Sequence, residues 1–301
     1  MDASPEFVKE LLPSVVNIHT TVPRGHPSAR VLGEERMGSG LIVDSGGLIL
    51  TVNYTVMGAS VVDVAPLKGR RMRAEVVAID FEVGLALLRV KRQGLPAATL
   101  AAGPGPERGE AVIAIASPGV QEVRVSGGIV TYLGEFEAYW EYLLERGIVS
   151  TAPNPGNGGG GLFTMNGRAV GVLYLNLNEV ARASLAIPVD CYRDTAEELL
   201  RYGRVVSRPR RAWLGVFATP LDDGVVIAGV VPGGPGEKGG LREGDMVVSL
   251  NAQGVSTRRE LYSNLWRHEP GERLTIEVMR DNALRRLEIT GGDRADFFKP
   301  V

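Results

Sequence analysis

Between Val15 and Pro188 the apolar residues come in short runs rich in β-branched side chains. Examples are Val15-Val16-Asn17-Ile18-His19, Gly40-Leu41-Ile42-Val43, Ala111-Val112-Ile113-Ala114-Ile115 and Ala169-Val170-Gly171-Val172-Leu173-Tyr174. Gly, Pro, Asp and Asn separate them, and short runs punctuated in this way predict an all-β barrel or sandwich. Two stretches break the pattern. The segment 135–146 spaces Phe136, Tyr139, Trp140 and Leu143 at i, i+3, i+4 and i+7, which predicts a short amphipathic helix that covers its own barrel or serves as a contact surface. Residues 194–202 predict a second helix, stopped by Gly203. The basic, proline-bearing run Arg204-Val205-Val206-Ser207-Arg208-Pro209-Arg210-Arg211 then reads as a linker between domains.

Composition narrows the function classes. The 301 residues are 44% hydrophobic, enough for two or three cores. Lys+Arg 33 against Asp+Glu 35, with no basic block, argues against nucleic acid as a partner. The single cysteine, Cys191, excludes an intrachain disulfide and reads as a small packed residue. His19, His26 and His268 lack ligand spacing, so neither a metal nor another cofactor is expected. The acidic start Met1-Asp2-Ala3-Ser4-Pro5-Glu6-Phe7 has no basic region followed by an apolar one, and no run reaches the ~18 apolar residues of a membrane span. Two locations fit: cytoplasmic as the chain stands, or periplasmic if an export or anchor segment has been removed.

Three motifs carry the chemistry. Asn154-Pro155-Gly156-Asn157-Gly158-Gly159-Gly160-Gly161-Leu162 resembles the PGNSGGPL nucleophile loop of the HtrA (Deg) family of trypsin-like serine proteases, with Gly158 in the place of the serine. Ile49-Leu50-Thr51-Val52-Asn53-Tyr54-Thr55-Val56 is similar to that family's ILTNxHV segment and puts Tyr54 at the histidine. Asp80-Phe81-Glu82-Val83-Gly84-Leu85-Ala86-Leu87-Leu88 is similar to its D-x-x-x-D-[LI]-A-[LV]-L segment and puts Gly84 at the aspartate. Acyl transfer needs a nucleophile, a base titrating near neutrality and a carboxylate that orients the base. Tyrosine, with a reference pKa of about 10, is a protonated donor at neutral pH. The resemblance therefore implies a catalytically degenerate member, not an enzyme, in which Gly156, Asn157 and Gly158 persist as a remnant of the oxyanion loop. One rival is a protease using another hydroxyl, with Ser117, Ser126 and Ser150 available. A second is a chaperone holding unfolded chains on the apolar face from Phe136 to Leu144.

Beyond the linker, Trp213-Leu214-Gly215-Val216, Val231-Pro232-Gly233-Gly234-Pro235 and Gly240-Leu241-Arg242-Glu243-Gly244-Asp245-Met246-Val247 resemble a PDZ domain. Thr257-Arg258-Arg259-Glu260 predicts a capping box for the helix that carries Leu261 and Leu265. The two resemblances together imply a trypsin-like double six-stranded β-barrel (8–190), a helix and linker (191–210), a small α+β PDZ domain (211–292) and a C-terminal tail (293–301). PDZ recognition adds a ligand strand to a sheet edge and captures its terminal carboxylate on backbone N–H groups. The expected peptide-binding residues are Trp213, Leu214, Gly215, Val216, Leu261 and Leu265, and the expected partners are peptides or protein C-termini. A scaffold or regulatory role in protein quality control follows, with a homotrimer built around Phe7 or a mixed assembly with an active paralogue. The tail Phe297-Phe298-Lys299-Pro300-Val301 reads as loose, with occupation of a PDZ groove in cis or in trans as the alternative.

Overall fold

A computed structural model describes residues 5–177, 182–222 and 224–299. Six strands close the first barrel: β1 (Val15–Thr21), β2 (Glu35–Asp44), β3 (Leu48–Val52), β4 (Val61–Pro66), β5 (Met72–Asp80) and β6 (Leu85–Val90), in the order β1-β2-β3-β6-β5-β4. Six more close the second: β7 (Ala111–Gly119), β8 (Glu122–Ala138), β9 (Tyr142–Ser150), β10 (Gly161–Thr164), β11 (Ala169–Asn176) and β12 (Ser184–Pro188), in the order β10-β11-β12-β9-β8-β7. Closure leaves no strand edge unpaired, so the alternating apolar positions have a barrel interior to fill. Leu50, Val52, Leu85 and Leu87 from the first barrel pack against Val172, Tyr174, Leu185 and Ile187 from the second; Tyr54 packs against this seam, with Gly158 beside Tyr54 and Gly84 beside Tyr174.

The third unit is a sheet of β13 (Val216–Leu221), β14 (Gly224–Val230), β15 (Met246–Leu250), β16 (Gln253–Gly254), β17 (Arg273–Arg280) and β18 (Ala283–Thr290). The helix Arg258–Leu265 covers it, and its capping box is complete: Thr257 accepts from the Glu260 N–H while Glu260 accepts from the Thr257 N–H. β13 ends the strand order, so one of its edges is open to an added strand. The fold is thus mostly β, a trypsin-like pair of barrels followed by a PDZ domain.

Two local expectations are corrected. Residues 135–146 do not form a helix. They are the ends of β8 and β9, paired antiparallel with Phe136 opposite Leu144 and Ala138 opposite Tyr142, and joined by a tight turn in which Glu141 has φ +54. Aromatic residues fit a pleated sheet as readily as a helix face, and strand pairing with β9 decides between them. Nor is the tail loose over its described part. The short helix Arg294–Phe297 docks, Phe298 is 7% exposed, and its ring lies 6.3 Å from Phe81 of the first barrel and 5.3 Å from Trp213. Val301, with the terminal carboxylate, lies outside the described residues.

Candidate functional site

Strand β3 runs into a single helical turn, Asn53–Val56, that aims Tyr54 at the seam. Its Oη donates to the Tyr174 carbonyl oxygen at 2.6 Å, and the two rings are 5.6 Å apart. Burial, reinforced by Tyr174 alongside, pushes the Tyr54 phenol well above its ordinary pKa, which removes it further from the role of a base. A Cβ on Gly158 would lie 2.0 Å from the Tyr54 oxygen, so the phenol occupies the volume a nucleophilic side chain would need. Gly84 has φ +89, and a Cβ there would meet the Tyr174 ring at 3.0 Å. Tyr54 and Tyr174 therefore fill the space around the two glycines, a relation that sequence motifs do not reveal for Tyr174.

The neighbouring carboxylate does not replace the missing one. Asp80 is 6% exposed, accepts the N–H groups of Glu82 and Val83 at 3.0 and 3.3 Å, and pairs with Arg208 of the linker at 2.7 Å. In the 154–162 loop, the Gly156 N–H donates to Asn154 Oδ1 at 3.1 Å, and the Asn157 carbonyl accepts from Ser39 Oγ at 3.2 Å. Gly156 thus already has an internal acceptor. Hydrolysis by this chain has to draw on groups other than Tyr54, Gly84 and Gly158.

The other hydroxyls are committed to structure. Ser117 Oγ donates to the Glu122 carbonyl at 2.7 Å, Ser126 Oγ to the Pro153 carbonyl, and Ser150 Oγ meets Ser184 Oγ at 3.4 Å. Among the described residues a histidine and a serine side chain meet at hydrogen-bond distance at His26 and Ser28, 2.8 Å apart. Ser28 is 1% exposed; its hydroxyl donates to the Met57 carbonyl and accepts from Arg36, each at 2.8 Å. Cys191 is half-buried, and burial raises its thiol to about 11, so it is protonated at neutral pH. No group of three or more His, Cys, Asp or Glu side chains among the described residues is placed to hold a metal.

The loop Trp213-Leu214-Gly215-Val216, expected to bind a carboxylate, has its N–H donors in use. Gly215 has φ +75, a conformation open to glycine, which turns successive N–H groups to one side. The Leu214 N–H donates to Glu141 Oε2 at 3.1 Å, and the N–H groups of Gly215 and Val216 donate to Glu141 Oε1 at 2.6 and 2.9 Å. Two residues further along the strand, the Ala218 N–H donates to the Tyr139 carbonyl at 2.7 Å. From the helix, Tyr262 Oη donates to the Ala138 carbonyl at 2.7 Å and accepts the Glu141 N–H at 3.0 Å, while Arg258 pairs with Glu137 at 2.5 Å.

Glu141 is 1% exposed. Burial raises its carboxyl above the ordinary value, opposed by the charge of Arg294 and by the three loop N–H groups. Leu261 and Leu265, expected on the groove wall, are buried in the core of this unit with Val216, and the helix meets the hairpin through Arg258 and Tyr262. Trp213 is 4% exposed and packs on Phe297 at 4.9 Å. Glu141, Arg258 and Tyr262 were missed because their partners are contributed by distant stretches of chain.

Comparisons with known proteins agree with this architecture. Residues 38–172 match the family model of the trypsin-like peptidase domain, and residues 212–290 that of the PDZ domain. A probable periplasmic serine endoprotease, DegP-like, of Halomonas elongata is 31% identical over 290 residues, covering 90% of this chain and 60% of the relative. A protein of the same description from Hahella chejuensis is 33% identical over 261 residues, covering 81% and 54%. The chain thus spans roughly 60% of the length of the curated relatives it matches. Among solved structures, the HtrA-type protease AlgW with tripeptide is 29% identical with TM-score 0.58, covering 96% of both chains. The serine endoprotease from Yersinia pestis is 25% identical with TM-score 0.57, covering 96% and 97%.

These relatives correct the expectation that the chain is not an enzyme. They are named serine endoproteases, and identity near 30% over most of the chain groups it with proteases. Three substituted positions describe one proton relay and do not set the class of a whole chain. Among the described residues no helix is long and apolar enough to cross a membrane. With both barrels, the PDZ unit and these relatives in agreement, the chain joins a trypsin-like peptidase domain to a PDZ domain and is homologous to the HtrA (DegP-like) serine endoproteases.

Proposed function

We propose that this HtrA-homologous chain acts in protein quality control by recognising polypeptides at its PDZ groove, with free C-termini as the preferred ligands. One observation carries the reading: the N–H groups of Leu214, Gly215 and Val216 converge on a carboxylate, the chemistry a peptide terminus presents. The AlgW structures, described as bound to a tripeptide and to a decapeptide, support the same ligand class. The positions Tyr54, Gly84 and Gly158 serve as a filled seam and not as a relay. An extracytoplasmic location follows the names of the periplasmic relatives. An array of decapeptides with free C-termini and with C-terminal amides, probed with the full chain, tests the reading. Preference for the free acids is expected, and equal capture of amides would sink it.

Kinship favours a second reading, endopeptidase activity from a group outside the triad-equivalent positions. Fluorophosphonate labelling followed by peptide mapping, with casein cleavage alongside, decides it: a labelled serine identifies the nucleophile, and absence of both signals removes the reading. The chaperone reading loses its support, because the helix face from Phe136 to Leu144 is not formed and Leu144 is 2% exposed. Phe7 packs on the chain's own second barrel, so trimer formation around it, or a mixed assembly, is a question for mass measurement in solution.

A further inference from the structure

The turn between β8 and β9 contacts the PDZ groove where a ligand strand would lie. N–H groups two residues apart on a strand point the same way, and those of Val216 and Ala218 take their oxygens from Glu141 and Tyr139, also two residues apart. That is the register of a strand added to the open edge of β13. From the helix side, Tyr262 and Arg258 hold the main-chain carbonyls of Ala138 and Glu137, so the tip is gripped on both walls through its backbone. The carboxylate at the end of the row belongs to a side chain, because the hairpin continues into β9 and has no terminus to offer.

We propose that residues Glu137 to Glu141 are an internal pseudo-ligand of the PDZ groove: the Glu141 side chain imitates the terminal carboxylate of a peptide, and an external C-terminus enters only by expelling the hairpin. The inference rests on the reading of this groove as a peptide site, and it identifies that site as self-occupied. Two features make the tip a releasable latch. Glu141 holds φ +54, a left-handed conformation uncommon for a non-glycine residue. Glu135 and Arg259, which pair at 2.5 Å at the rim, are both about half exposed, so the outer closure is an exposed ion pair of small net worth.

The test is fluorescence anisotropy with the fluorescein-labelled decapeptide Gly-Ser-Gly-Ser-Gly-Glu-Ala-Tyr-Trp-Val. It carries the hairpin's own Glu-Ala-Tyr-Trp stretch followed by a free carboxylate. A groove open in a tenth of molecules binds about tenfold more weakly than an open one, so Glu141→Ala is expected to bind the peptide about tenfold more tightly than the unaltered full chain. The C-terminal amide is expected to gain nothing.

Hydrogen exchange on the unaltered chain supplies a readout that needs no variant. Saturating peptide is expected to deprotect the amides of residues 137–142 while those of Leu214, Gly215, Val216 and Ala218 stay protected. Equal affinity of the two proteins, or a hairpin that remains protected beneath bound peptide, overturns the latch and leaves the peptide site standing. Absence of carboxylate-dependent binding by both proteins overturns the two together.

Discussion

The barrel seam and the PDZ loop differ in what a substitution can remove. At the seam the chemistry of the family resides in side chains, and Tyr54, Gly84 and Gly158 have none of the required groups, while Tyr54 and Tyr174 occupy the space left. At the loop the chemistry resides in backbone N–H groups, which remain whatever side chains surround them, and Leu214, Gly215 and Val216 still present theirs. On the proposed reading, a recognition site made of main chain would outlast a relay made of side chains. It also has to be occupied, because buried N–H groups without acceptors are costly, and here the chain supplies its own acceptor.

The largest effect is expected at the junction beside the loop. Trp213→Ala removes a ring packed on Phe297 and Phe298, and a loss of about 3–5 kcal/mol in urea unfolding is expected. A loss under about 1 kcal/mol would mean that the junction is loosely packed and that the contrast with the seam is overdrawn. At the seam itself, Gly158→Ser is expected to cost about 1–3 kcal/mol through collision with Tyr54. In a Tyr54→Phe background the nearest ring atom stands at 3.0 Å instead of an oxygen at 2.0 Å, so the penalty should shrink. A double-mutant cycle showing no coupling would break the picture of a tyrosine filling the serine's space.

Smaller effects sharpen the same contrast. Tyr262→Phe deletes both phenol hydrogen bonds to the hairpin and is expected to weaken its docking by about 1 kcal/mol, read as faster exchange at Ala138 and Glu141 with the seam unchanged. Unchanged exchange would assign the grip to Arg258. The smallest effect concerns pH. Burial lowers the pKa of His26 from 6.5; the Lys299 carbonyl opposes that shift and the Arg36 charge adds to it. The unfolded chain then binds more protons in the interval between the lowered value and 6.5. Stability contributed by His26 is full above 6.5 and is lost as pH falls through the folded value. Urea midpoints at about pH 7.5 and 5 should separate more for the unaltered chain than for His26→Gln, and identical separations would dismiss the effect.

Local chemistry was legible in the sequence. The strand runs, the Thr257–Glu260 capping box and the stop at Gly203, which takes φ +71, are each set by a few neighbouring residues. The assignment of Tyr54, Gly84 and Gly158 to the triad positions rests on motifs of the same local kind. The 135–146 segment misled because its aromatics satisfy helical spacing, while the deciding contacts come from elsewhere. A helix would have consumed the Ala138 and Tyr139 carbonyls internally, whereas a hairpin leaves them free for Tyr262 and Ala218. Glu141 was invisible for a deeper reason: a carboxylate serving the backbone of another domain leaves no signature among its own neighbours.

All three tryptophans of the chain gather where the hairpin meets the PDZ loop. Trp140 is on the tip with its ring 4.9 Å from Tyr139, Trp213 opens the loop with Arg294 5.9 Å from its ring, and Trp266 stacks on Tyr262 at 5.2 Å with Arg211 5.0 Å away on the linker. Apart from that tip, the two barrels contain no indole. Ultraviolet emission from the unlabelled protein is consequently a private channel to one junction, and its colour and intensity will register a change of occupant there while the rest of the molecule stays dark.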